Sequence, residues 1–136
     1  MNTTRLLSPF ALSLLALAPA GCGHRDTIVG KWQGTVTQPR GTMNTTFEFT
    51  PDGKEIIGIQ GNMGAMPITM GGAGAYTVSD TTLTQTLTTL TFGGRSMPVP
   101  TAQAKPQSNT FTLDGDHLTL TNPGSRQSLT LTRMKE

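Results

Sequence analysis

From residue 28 onward, turn signals punctuate the chain about every ten residues, and the stretches between them alternate apolar with polar side chains. Between Gly30 and Thr37, Trp32, Gly34 and Val36 share one parity while Lys31, Gln33 and Thr35 take the other. Between Thr45 and Thr50, Phe47 and Phe49 point one way and Thr46, Glu48 and Thr50 the other. Pro51-Asp52-Gly53 follows as a turn, with Pro presetting φ and Gly accepting the left-handed position, and Lys54 to Gln60 returns as a third strand. A period of two over four to eight residues is the mark of a half-buried strand, and no helical period competes with it here.

The second half continues in the same way with two irregularities. Gly61 to Ala75 holds five glycines interleaved with Met63, Met66 and Met70, which breaks the alternation. It reads as a flexible loop with at most a short edge strand at Met66-Pro67-Ile68-Thr69, where Pro is tolerated. Tyr76 and Val78 mark the next strand and Asp80-Thr81 a turn. From Leu83 to Phe92 the apolar parity changes, Leu83 and Leu87 on one phase and Leu90 and Phe92 on the other, which predicts a β-bulge or bend near Thr88-Thr89. After Gly93-Gly94, Pro98 to Ser108 is a polar, Pro-rich loop. Phe111 and Leu113, the turn Asp114-Gly115-Asp116, and Leu118 and Leu120 form another hairpin. Asn122-Pro123-Gly124-Ser125 turns into a last strand carrying Leu129, Leu131 and Arg133 on one face. The fold class is therefore all-β, a single antiparallel meander barrel or flattened sandwich of about eight strands. A faint echo links Met66-Pro67-Ile68 to Met97-Pro98-Val99, each followed by similar strands. Duplication would produce it, and so would two hairpins obeying the same physics.

The N-terminus is of another kind. Arg5 precedes an apolar run from Leu6 to Leu17, which ends in Ala18-Pro19-Ala20-Gly21-Cys22. The run is shorter than the roughly 20 residues a bilayer span requires, and small residues close it, so 1–21 reads as a signal peptide. Two processing routes fit. Ala18-Pro19-Ala20 suits ordinary signal peptidase, which would leave a soluble periplasmic or secreted protein. Ala20-Gly21-Cys22 resembles the end of the bacterial lipoprotein signal, in which small residues precede a Cys that becomes lipidated. Pro19 departs from the Leu that pattern prefers. Cys22 is the only cysteine in the chain and could form no internal disulfide in an oxidising compartment, which favours lipidation. The organisation is then a signal peptide (1–21), a lipidated tether (22–27) and one β domain (28–136). The resemblance implies a protein lipid-anchored to the cell envelope, at the outer membrane or cell surface. Gly23 in place of Asp permits outer-membrane sorting in double-membrane bacteria.

Composition narrows the partners. With Arg5 set aside, nine Lys and Arg face eight Asp and Glu, a balance that gives neither a nucleic-acid footprint nor a polybasic membrane patch. Thr makes up roughly one residue in five of the mature part, well above ordinary usage, so hydroxyls rather than charges build the outer face of the sheet.

Gly30-Lys31-Trp32 on the first strand, with Arg133 on the last, looks like the G-x-W signature of small bacterial lipocalin-like lipoprotein domains. The resemblance implies that Trp32 plugs the closed end of a barrel and that Arg133 packs across it, a cation–π pair worth about 1–2 kcal/mol when desolvated. The chain is shorter than animal lipocalins and lacks their terminal helix, which leaves a deep cavity and a side-chain-filled barrel both open.

Catalytic machinery is not expected. His24 lies in the tether and His117 follows a turn, no G-x-S-x-G occurs, and Glu48 and Glu55 have no carboxylate partner in view. Asp114-Gly115-Asp116 lacks the spaced acids of a calcium loop and suffices as a turn. No cofactor or metal is assigned. Met63, Met66, Ile68, Met70 and Tyr76 form the candidate rim of a site at the barrel mouth for a small apolar or amphipathic ligand. A structural or protein-interaction module of the envelope, using the Thr-rich surface or a sheet edge, is the alternative. Cu(I) binding by Met63, Met66 and Met70, aided by His24 or Met97, ranks third. The chain is expected to be a monomer, with the membrane its partner through the anchor.

Overall fold

The computed structural model describes residues 27–135; the expected signal peptide, Cys22 and most of the tether lie outside the described residues. Nine antiparallel strands follow in order: β1 (Gly30–Gln38), β2 (Gly41–Phe49), β3 (Lys54–Met63), β4 (Met66–Ser79), β5 (Thr82–Phe92), β6 (Arg95–Pro98), β7 (Gln107–Asp114), β8 (His117–Thr121) and β9 (Ser128–Arg133). Each pairs with its neighbour in sequence, except that β5 carries β6 on its far half and β7 on its near half, along the same side. β9 returns to pair with β1 and closes an eight-stranded barrel to which β6 is an appendage. The closing seam is short: only Trp32 with Arg133 and Gln33 with Thr132 are in register.

The turns form as their residues dictate. Thr50 organises the β2–β3 turn, its backbone N–H donating to Lys54 O at 2.9 Å and its Oγ1 accepting from Lys54 N at 3.1 Å. Asn122 Oδ1 accepts from the backbone N–H groups of Gly124 and Ser125, an Asx turn that redirects the chain into β9. The outer face carries cross-strand hydroxyl pairs, Thr91 with Ser96 and Thr121 with Ser128, both at 2.9 Å. This is how a sheet with few charges satisfies its polar face.

The predicted parity change in β5 is a bulge. Ala73 pairs with Thr89 and Gly74 with Leu87, so Thr88 is the extra residue, and Leu83, Gln85, Leu87, Leu90 and Phe92 all face inward. Thr88 still uses its carbonyl, which accepts the N–H of Val99 at 2.9 Å.

One expectation requires correction. Gly61 to Ala75 is not a loop with a short edge strand. β3 runs on to Met63, a two-residue turn at Gly64-Ala65 follows, and β4 is the longest strand of the barrel, paired on both sides. Gly72 and Gly74 are there because the bulged β5 presses onto them. A Cβ on Gly74 would lie 2.0 Å from Thr86 O, and one on Gly72 would lie 3.1 Å from Leu87 Cδ2. Only a residue without a side chain lets two backbones approach so closely. The echo between Met66-Pro67-Ile68 and Met97-Pro98-Val99 is likewise not a structural repeat, since the first opens β4 and the second closes β6.

The barrel is filled at one end only. Ile28, Trp32, Phe49, Leu83, Leu118 and Leu131 are buried there, with Leu113 and Tyr76 packed against them. Trp32 is fully buried, and its indole N–H donates to Ile28 O at 2.7 Å. The Arg133 guanidinium lies 4.2 Å above the indole ring and donates to Val29 O at 2.9 Å and Thr27 O at 3.0 Å, locking the chain entry across the bottom. Gly30 makes this possible. Its φ of 136° is outside the range side-chain-bearing residues favour, and a Cβ there would lie 2.8 Å from Arg133 Nη1. Gly30, Trp32 and Arg133 thus meet as a single plug.

Candidate functional site

Above the plug the inward rows diverge from a packed core into a lumen. The strands supply apolar side chains to it at every second position: Ile57 and Ile59 from β3, Met70 from β4, Leu87, Leu90 and Phe92 from β5, and Leu129 from β9. They enclose a cavity of about 570 Å³. Phe47 and Glu55 form its floor, and the loop between β6 and β7 contributes Val99, Gln103, Ala104 and Lys105 at its mouth. That loop is held by a tight turn in which Gln103 N and Ala104 N donate to Pro100 O. A second space of about 650 Å³ is bounded by Val36–Pro39 and by Gln127–Leu129, where β1 and β9 part beyond their two-pair seam. Phe47, Gln85 and Leu129 border both spaces.

A polar relay runs along one side of this mostly apolar lumen. Asn109 Nδ2 donates to Gln85 Oε1 at 3.1 Å, and Gln85 Nε2 donates to Glu55 Oε2 at 2.6 Å. Glu55 is 1 % exposed, and its other oxygen, Oε1, has no hydrogen-bond partner among the described residues. Burial pushes the Glu55 carboxyl above its ordinary pKa, and the Gln85 hydrogen bond partly opposes that shift. Both amides present N–H toward the carboxylate, so the relay is polarised to favour a negative charge at its end.

The expected rim residues separate. Met63, Met66, Ile68 and Met70 do share one face of the β3–β4 hairpin, the face that continues the lumen row past Ile59. Met70 lines the cavity, whereas Met63 and Met66 stand beyond the mouth, Met66 being 70 % exposed. Tyr76 belongs to the opposite end, edge-on to Phe49 at 5.0 Å and hydrogen-bonded through its hydroxyl to Thr50 O. Met63 lies directly across from Met66, but Met70 is four residues further along an extended strand, about 13 Å away. The three thioethers therefore do not converge on one point. Asp116 stands 3.7 Å from Arg133 Nε, and His117 is exposed beside it.

Glu55, Gln85 and Asn109 were not legible as a group. Glu55 is 30 residues from Gln85, and Gln85 is 24 from Asn109. The available signal was parity: Glu55 is in phase with Ile57 and Ile59, and Gln85 with Leu83 and Leu87, so each polar residue interrupts an inward apolar row. No protein-family model matches the chain, and no curated protein sequence matches it.

Proposed function

We propose that this chain is a lipocalin-like, non-enzymatic barrel that holds a small apolar or amphipathic ligand in its lumen while anchored to the cell envelope through Cys22. The observation that carries the reading is the cavity above the plug. At about 570 Å³ it falls within the roughly 300–1,000 Å³ of small-molecule sites, and it combines apolar walls with a few placed polar groups. The plug of Gly30, Trp32 and Arg133 supports the lipocalin-like part of the reading. The apolar run ending at the lone Cys22 supports the anchor. The interaction-module alternative has less to work with, because among the described residues the unpaired edges are short: β6, ending in Pro98, and the stretches of β1 and β9 beyond their seam.

Native mass spectrometry of the full chain from its own host tests the reading. Extra mass that leaves on denaturation, and is missing from a Leu90→Trp variant whose cavity is filled, is the expected result. An unliganded mass in both proteins would move the reading to the interaction module. For the anchor, Cys22→Ser should shift the protein from the membrane to the soluble fraction. Unchanged partition would remove the lipidated state.

A further inference from the structure

We infer that the lumen selects a ligand whose apolar body ends in a protonated amine, entering amine-first so that the ammonium reaches Oε1 of Glu55. This deepens the cavity-binding reading and rests on it.

The inference starts from an unmet hydrogen bond. Glu55 is buried and borders the cavity, and one of its two carboxylate oxygens is satisfied while the other is not. A carboxylate accepts and does not donate, so what Oε1 lacks is a donor. The direction of the relay agrees. Asn109 donates to Gln85 and Gln85 to Oε2, an order that favours the anion, and no donor among the described residues reaches Oε1. No lysine or arginine among the described residues forms an ion pair with Glu55; the two ion pairs found are Lys54 with Asp52 and Arg133 with Asp116. Lys105 borders the same cavity but sits on the exposed loop at the mouth. A buried anion without a cation is costly, and a ligand that brings both positive charge and N–H donors removes that cost.

The layout sets the orientation. The acceptor is at the floor and the apolar side chains Ile57, Ile59, Met70, Leu87 and Leu90 rise from it toward Phe92. A molecule that filled the space tail-first would put hydrocarbon against Glu55 and leave its polar end among leucines. Entry amine-first satisfies both.

Calorimetric titration of the full chain with decylamine, decanol and decanoate, each below its micelle concentration, tests this, because the three differ only in the head. Decylamine should bind about tenfold or more tighter than decanol, the fold-change expected of one charge-assisted hydrogen bond, and decanoate weakest of all. Glu55→Gln should erase the preference for decylamine over decanol, since the amide keeps the shape and loses the charge. Should Glu55→Gln fail to fold, Asn109→Ala, which shortens the relay without touching the carboxylate, should weaken decylamine selectively. Binding of all three probes with equal affinity, or a preference for decanoate, would overturn the inference while leaving the cavity reading in place. Binding of none would overturn both.

Discussion

The plug and the lumen floor above it bury charged groups in different ways. At the closed end, the Trp32 indole N–H has its carbonyl, and Arg133 places both terminal nitrogens on carbonyls of the entering chain while its face covers the ring. At the floor of the lumen, Glu55 is as deeply buried, yet half of its carboxylate is left without a partner among the described residues. The same eight strands build both, so the difference lies chiefly in the side chains they direct inward. Large residues directed inward near the plug fill the barrel, and although Arg133 Nε has no hydrogen bond among the described residues, its charge is paired with Asp116 at 3.7 Å. Above the plug the inward side chains leave a cavity unfilled, and at its floor stands a group whose partner must come from elsewhere. One end holds the fold together; the other is built less tightly and is available for a ligand.

This contrast can be broken most sharply at the plug. Trp32→Ala should destabilise by about 3–5 kcal/mol, the range for the largest core truncations, because it empties a fully buried site and strips Arg133 of its platform. Urea denaturation would show it as a lowered midpoint. A silent substitution would mean that the closed end does not carry stability and that the lipocalin-like comparison loses its main support.

A smaller effect should appear at the lumen floor, and it depends on pH. Because burial raises the pKa of Glu55 from its ordinary 4.5, the folded barrel keeps that proton to higher pH than the unfolded chain does. Between the two values the folded state binds more protons, so this group's contribution makes stability fall as pH rises. Glu55→Gln has nothing to titrate. Urea midpoints of the two proteins between about pH 4 and 8 should therefore diverge, with the variant gaining on the wild type as pH increases. A constant difference would place the carboxyl in a solvated, ordinary environment and remove the contrast with the plug.

The least effect belongs to the hairpin tip. Replacing Met63 and Met66 together by Ala should alter stability by less than about 0.5 kcal/mol, as for surface substitutions generally, since both are exposed. A greater loss in thermal unfolding would show that the tip packs over the mouth and that the open end is more fully enclosed than its exposure indicates.

Much of the wall was legible along the chain. The alternation around Trp32 and Phe47, the turn at Pro51 to Gly53 and the parity change in β5 are local patterns, and a strand's side-chain period exposes them directly. The Gly-rich stretch was misleading for an equally physical reason. Glycine has no side chain to alternate, so β4 showed no period, and the demand for glycine came from β5 pressing against it. Tyr76, expected at the rim, is close in sequence to Met70. Six residues of extended strand instead carry it about 20 Å away to the plug.

By itself, the sequence determined that the chain forms short antiparallel strands with a hydroxyl-rich outer face, that a tryptophan and an arginine begin and end the series, and where one strand must bulge. Each of these is encoded in neighbouring residues. Whether the barrel is filled or hollow was decided only by the tertiary structure, because a cavity is the space between side chains from six or more strands. So was the fate of Glu55, whose burial and whose amide neighbours exist only once β3, β4, β5 and β7 stand side by side in the barrel wall.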